Sequence, residues 1–153
     1  MGKKENNAVL GNRMALVKTK GTEIEMWLRL RLHARGFRYR VNVHKLPGKP
    51  DIVLQKYKCV IFVNGCFWHL HNCHFFQWPK ENREWWEVKL CNNRKRDLEI
   101  QDKLREMGWR VMIIWKCAIQ GRVRLEEDVI LELVSSWIKN GGPLLEISGK
   151  GTV

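Results

Sequence analysis

At 153 residues the chain is long enough to bury one core and too short for two ordinary domains, and its 44% hydrophobic and 29% charged residues describe a folded rather than a disordered protein. The formal net charge of +12 is uneven: residues 1–40 hold 10 Lys and Arg against 3 acids, a balance of +7, whereas residues 125–153 hold 2 against 5, a balance of −3. Such a basic half points to a polyanionic partner and away from acidic or membrane-embedded roles, and the absence of any apolar run of about 18–20 residues excludes a helical membrane span.

The first residues lack the apolar stretch of a secretion signal, so the expectation is a cytoplasmic protein, nucleoid-associated when bound to DNA. In that compartment five cysteines read as reduced thiols and metal ligands rather than disulfides. Residues 1–20 have no sustained periodicity and form a basic arm, with room for a short helix around Arg13–Val17.

Thr22 followed by Glu25 makes a capping box, and Ile24, Leu28 and Leu32 recur at helical spacing until Gly36, which predicts a helix over 22–35. Residues 37–43 alternate like a strand with one buried face, and Leu46-Pro47-Gly48-Lys49-Pro50 is a turn. Strands at Asp51–Leu54 and Cys59–Val63, joined by a polar tetrapeptide, complete an antiparallel meander. Beyond an irregular stretch, residues 84–107 carry helical pattern with a break expected near Cys91-Asn92-Asn93 and a stop at Gly108. Trp109–Trp115 is an apolar buried strand. A helix over 125–138, with Val129, Leu133, Val134 and Trp137 inward, precedes a glycine-containing tail. This order predicts an α/β protein, a central mixed sheet flanked by helices.

Chemistry concentrates in Cys66-Phe67-Trp68-His69-Leu70-His71-Asn72-Cys73. Cys66, His71 and Cys73 offer soft donors within eight residues, and Cys117, past the end of the Trp109 strand, is placed to close a tetrahedral, structural zinc site; His69 and His74 are rival ligands. The competing reading makes these cysteines buried thiols and the histidines surface residues. Cys59 and Cys91 read as packing residues.

Pro50-Asp51 opens a strand after a tight turn, and the neighbouring strand ends a dozen residues later at Val63-Asn64. Nucleases of the restriction-endonuclease-like fold place an Asp in this way, with a second metal ligand at the end of the adjacent strand. Asp51 suits a hard divalent cation, and His69, spared from the zinc set, suits proton transfer at neutral pH. Eight tryptophans are many for this length. Trp27, Trp109, Trp115 and Trp137 fit core positions, while Phe67, Trp68 and Trp86 suit insertion between base pairs.

Thr22-x-Ile24-Glu25, Leu46-Pro47-Gly48-Lys49-Pro50-Asp51, Cys59-Val60-Ile61-Phe62, Gly65-Cys66-Phe67-Trp68-His69, His71-x-Cys73 and Gly108-Trp109-Arg110-Val111 together resemble the very-short-patch repair endonucleases, from about Arg13 to Ile138. The resemblance implies a restriction-endonuclease-like fold with a zinc-stabilised loop, organised as a DNA-contacting arm (1–20), a nuclease domain (21–140) and a tail (141–153). It implies Mg²⁺-dependent nicking of the T strand, 5′ to a T·G mismatch left by deamination of 5-methylcytosine. Asp51 and the Val63 carbonyl would hold Mg²⁺, His69 would activate water and Glu25 would order water around the metal. Cys66, His71, Cys73 and Cys117 would hold Zn²⁺; Phe67, Trp68 and Trp86 would wedge into the duplex, with Met14 entering from the opposite groove. Lys89 and Asn93 match positions contacting the mismatched pair, and Arg94, Lys95 and Arg96 read as phosphate contacts. A monomer is expected, since one mismatched strand has no two-fold symmetry, and mismatch-repair proteins are candidate partners. One departure stands out: Asn64 replaces the family's usual His, and an amide cannot donate a proton as an imidazolium can.

Overall fold

A computed structural model describes residues 23–142 and 144–151. The first helix, α1 (Glu23–Ala34), buries Ile24, Leu28 and Leu32 along one stripe and carries Glu23 and Glu25 in its first turn, where carboxylates complement the helix dipole. It stops at Gly36, whose φ of +94° lets the Phe37 amide donate to the Leu32 carbonyl at 3.1 Å and the Gly36 amide donate to that of His33 at 3.0 Å. The predicted cap residue Thr22, the arm 1–20 and Met14 lie outside the described residues.

The strand expected over 37–43 does not form. Only Arg40 pairs, through an isolated antiparallel bridge to Val53, and Asn42 then turns to a φ of +49°. Alternation puts Phe37 and Val41 on one buried face; Phe37 is buried, but Val41 is 43% exposed, because the facing strand is too short to carry the pairing further.

That facing strand is β1 (Ile52–Leu54). A 3₁₀ turn (Gln55–Tyr57) joins it to β2 (Cys59–Asn64), which runs antiparallel with Ile52 opposite Ile61. The long helix α2 (Arg83–Glu106) crosses to β3 (Arg110–Trp115), parallel to β2 with Val60 opposite Val111. A single-turn helix α3 (Lys116–Ile119) and α4 (Glu127–Asn140) lead to β4 (Leu145–Ile147), parallel to β3 with Ile113 opposite Glu146. The sheet order is β1-β2-β3-β4, a mixed sheet between helices as predicted.

Three expectations need correction. α2 continues unbroken through Cys91-Asn92-Asn93, because a few tenths of a kcal/mol of lower helix propensity per Asn is too little to open an established hydrogen-bond ladder. On α4, Val129 and Leu133 are 46% and 43% exposed, and the buried stripe is Ile130, Leu131, Val134, Trp137 and Ile138. Spacing alone does not choose between neighbouring i, i+4 pairs. The stretch read as a tail supplies β4.

Alternation along β2 and β3 splits the core. Ile61, Val63, Met112 and Ile114 face α1 and α4, while Val60, Val111, Ile113 and Trp115 face Leu104 of α2 together with Cys66 and Cys117. The second face is therefore where the cysteine-rich loop packs. No described helix is long and apolar enough to cross a membrane.

Candidate functional site

Cys66, His71 and Cys73 come from the loop after β2 and Cys117 from α3; the single ligand atom each offers lies within 4.8 Å of all the others. His71 Nδ1 stands 3.6 Å from Cys117 Sγ, close to the edge of about 3.6 Å that a zinc tetrahedron requires between nitrogen and sulfur. Three cysteines and one imidazole, three of the four residues buried, fit a closed structural metal site. The rival ligands His69 and His74 fall outside the cluster.

Burial pushes the Cys66 thiol well above its ordinary range; a hydrogen bond from the Cys117 backbone opposes the rise, and the Cys117 and Cys73 thiols beside it add to it. Burial also lowers His71, with Arg94 contributing and Glu146 opposing, which favours the neutral imidazole that binds metals. The surroundings are tight: His71 stacks on Trp115 at 4.1 Å, the Trp115 indole donates to Glu146 at 3.0 Å, and the Gly149 amide donates to Cys117 Sγ at 3.3 Å. The β4 segment thus packs behind the cluster, a contact with no local sequence signal.

At the same, C-terminal end of β2, Asp51 is 4% exposed and its Oδ2 accepts the Val63 amide at 2.7 Å, which fixes the carboxylate against the strand end where Asn64 is also buried. Glu25 is 1% exposed. Arg29, one turn along α1, donates through Nη2 to Glu25 Oε2 and to the Asp51 carbonyl, each at 3.2 Å. Arg29 thereby ties the Glu25 carboxylate to the Asp51 backbone; two buried carboxylates are hard donors of the kind that fit a divalent cation such as Mg²⁺. The sequence had placed Glu25 and Asp51 here; it gave no sign of Arg29.

Helix α2 grips the tripeptide Phe67-Trp68-His69 along one face. Trp86 meets Phe67 edge-on at 5.4 Å and Trp68 at 6.0 Å, Asn93 Nδ2 donates to the Trp68 carbonyl at 3.2 Å, and Asp97 Oδ2 lies 2.5 Å from His69 Nδ1. Spacings of seven and four residues put 86, 93 and 97 on one stripe of the helix. An ionised carboxylate only accepts, so Nδ1 carries the hydrogen and Nε2 presents its lone pair. Asp97 escaped the sequence reading because its partner is remote in the chain.

Phe67, Trp68 and Trp86 are each half-buried, joined by Phe76 at 5.8 Å from Phe67. Lys89, Lys95 and Arg96 are exposed on α2, whereas Asn93 and Arg94 are half-buried. Trp109, Trp115 and Trp137 are core, as expected; Trp27 packs only partly buried against it. Cys59 is core, and Cys91 is exposed rather than packed.

A mixed sheet with two buried carboxylates, Glu25 and Asp51, linked through Arg29, a His69–Asp97 pair and a Cys/His knot define an endonuclease of the restriction-endonuclease-like class. Comparison with known proteins sharpens this. A family model described as DNA mismatch endonuclease Vsr matches residues 6–75. The chain is 38% identical over 146 residues to the DNA mismatch endonuclease Vsr of Escherichia coli K12, covering 95% of this chain and 94% of that one. It is also 39% identical over 114 residues to the type II nicking enzyme V.NmeAIP of Neisseria meningitidis serogroup A (74% and 81% covered), and 41% identical over 113 residues to V.XorIIP of Xanthomonas oryzae pv. oryzae (74% and 83%). The chain belongs to the DNA mismatch endonuclease Vsr family.

Proposed function

We propose that this endonuclease nicks the T-containing strand of duplex DNA, 5′ to a T·G mismatch produced by deamination of 5-methylcytosine, and so starts very-short-patch repair. The observation that carries the reading is the tripeptide Phe67-Trp68-His69, in which two aromatic residues and the candidate base are consecutive and gripped by the same helix. Rings that enter the duplex at a weak pair would bring His69 to the backbone next to that pair. A T·G wobble pair makes unstacking cheapest where the lesion lies.

In this mechanism Asp51 and the Val63 carbonyl would hold Mg²⁺, which would neutralise charge gathering on the scissile phosphate. The His69 Nε2 accepts a proton from water as its oxygen attacks phosphorus and the bond to the leaving sugar oxygen breaks. Asp97 holds the imidazole in the required tautomer and stabilises it once charged. Glu25 orients water, and Asn64 hydrogen-bonds a phosphate oxygen, so the leaving oxygen takes its proton from solvent. Lys89 and Asn93 contact the mismatched pair, with Arg94, Lys95 and Arg96 on the phosphates and Met14 of the arm entering the opposite groove. Cys66, His71, Cys73 and Cys117 would hold Zn²⁺, which would keep the wedge loop in shape. The protein acts as a monomer.

The test is a nicking assay with strand-specific label on duplexes differing only in T·G or C·G. A Mg²⁺-dependent nick confined to the T strand of T·G, and lost in Asp51→Ala, supports the reading. Tight T·G binding without cutting would make the protein a binding module disabled at Asn64, and equal cutting of both duplexes would make it a restriction enzyme.

A further inference from the structure

Arg29 is almost as buried as the acid it meets: its side chain is 10% exposed, that of Glu25 1%. A long cationic side chain is seldom buried without a demanding partner. Nη2 alone reaches both Glu25 Oε2 and the Asp51 main-chain oxygen; Nη1 rests 3.7 Å from Met26 Sδ, and Nε is buried with no hydrogen-bond partner among the described residues. The backbone beneath is pinned in turn, because the Tyr39 hydroxyl donates to the Arg29 carbonyl at 2.7 Å. A guanidinium kept for stability would spend its five donors better. Here the hydrogen bonds concentrate at the point where the α1 carboxylate meets Asp51.

We propose that Arg29 is a positioning residue of the nuclease site, a permanent buried cation that orients Glu25 beside Asp51 and sets how strongly the site binds a divalent cation. The inference rests on Asp51 and Glu25 forming the cation site, as argued under the proposed function. Glu25 and Asp51 contribute −2 and Arg29 contributes +1, so the trio carries −1. Removing the guanidinium leaves −2, which draws a dication more strongly and at the same time releases Glu25 from its orientation. Affinity and turnover therefore move in opposite directions.

The probe is Mn²⁺, titrated into the zinc-loaded full chain and followed by the electron paramagnetic resonance of the free ion. Wild type binds Mn²⁺ in a manner that Asp51→Asn abolishes. Arg29→Met lowers the Mn²⁺ Kd by roughly tenfold, since one unit of opposing charge is gone, while single-turnover nicking slows; Arg29→Lys, which keeps the charge, retains the wild-type Kd. Should Arg29→Met fail to fold, Glu25→Gln and Glu25→Gln/Arg29→Met carry the test, the second binding Mn²⁺ more tightly than the first. An unchanged Kd in Arg29→Met with only a lower Tm makes Arg29 a structural residue and overturns the proposal, as does Arg29→Lys behaving like Arg29→Met. Absence of any Asp51-dependent Mn²⁺ binding in wild type overturns the cation-site reading itself, and this proposal with it.

Discussion

The Nδ1 atom of His69 lies 2.5 Å from the Oδ2 atom of Asp97, 28 residues further along the chain on α2. The loop supplies a candidate base, and the helix supplies the group that fixes its tautomer. Asp97→Asn can present its amide NH₂ to Nδ1 and so favours the wrong tautomer. Single-turnover nicking is expected to fall by about 10²–10⁴-fold, with affinity for the same duplex, measured by fluorescence anisotropy, almost unchanged. A wild-type rate would remove Asp97 from the mechanism.

The Cys/His knot predicts acid lability. Metal binding displaces the proton that burial keeps on Cys66, so affinity for zinc rises with pH. Burial holds the His71 imidazole below the usual histidine pKa of about 6.5, so as pH falls through that range the unfolded chain takes up a proton the folded chain resists, and stability is lost. Zinc released to a chromophoric chelator should therefore increase sharply between about pH 7 and pH 5.5. Stripping the metal at neutral pH is expected to cost about 4 kcal/mol or more, roughly 10 °C in Tm. A Tm insensitive to chelation would mean that the thiols pack without metal.

Asn64 is buried at the end of β2, where an imidazole in its place could donate a proton to the leaving oxygen. Asn64→His is expected to raise the single-turnover rate by roughly tenfold or more and to add an alkaline limb to its pH profile as the new imidazolium deprotonates. An unchanged rate and profile would show that this position does not take part in proton transfer.

Gly149 has no room for a side chain. A Cβ there would come within 2.5 Å of Val123 Cγ2 and 2.6 Å of the Cys117 carbonyl, directly behind a metal ligand. Gly149→Ala is expected to cost about 1–3 kcal/mol by overpacking and to speed zinc release, both readable in one melting and chelation series. Loss of stability with normal zinc retention would separate the β4 segment from the knot.

Arg110 offers a control away from the chemistry. It donates to the Trp137 and Ile138 carbonyls at the end of α4, each at 2.9 Å, and to Tyr57 O at 3.2 Å, with its guanidinium 4.5 Å from the Trp137 ring centroid. The bond to Ile138 meets a carbonyl of the helix's last turn, and the one to Trp137 shares an oxygen that already accepts the Gly141 amide at 3.1 Å. Arg110→Met should lower stability by about 2–3 kcal/mol in urea unfolding, and leave the Mg²⁺ dependence of nicking as it was.

Much of the fold was legible because it is written at short range. Ile24, Leu28 and Leu32 followed by Gly36 define α1 and its stop within one helix, and apolar runs of five or six residues define β2 and β3. The failures came where a neighbour decides. Residues 37–43 have strand alternation but meet a three-residue partner, and Val129 with Leu133 share the spacing of the true buried stripe one residue away.

The sequence by itself determined the knot-forming trio Cys66, His71 and Cys73, the Pro50-Asp51 strand start and the aromatic pair beside His69, because each is a chemical pattern complete within a few residues. Only the tertiary structure decided that Cys117 approaches His71 from 46 residues away, that Asp97 rather than a nearer acid holds His69, that Arg29 bridges Glu25 to Asp51, and that β4 closes the sheet behind the metal ligands. Spacing fixes which side of its own helix or strand a residue occupies. Which two elements then meet, and in what register, is settled by packing the two faces of the sheet, an energy distributed over many distant residues and carried by no single segment.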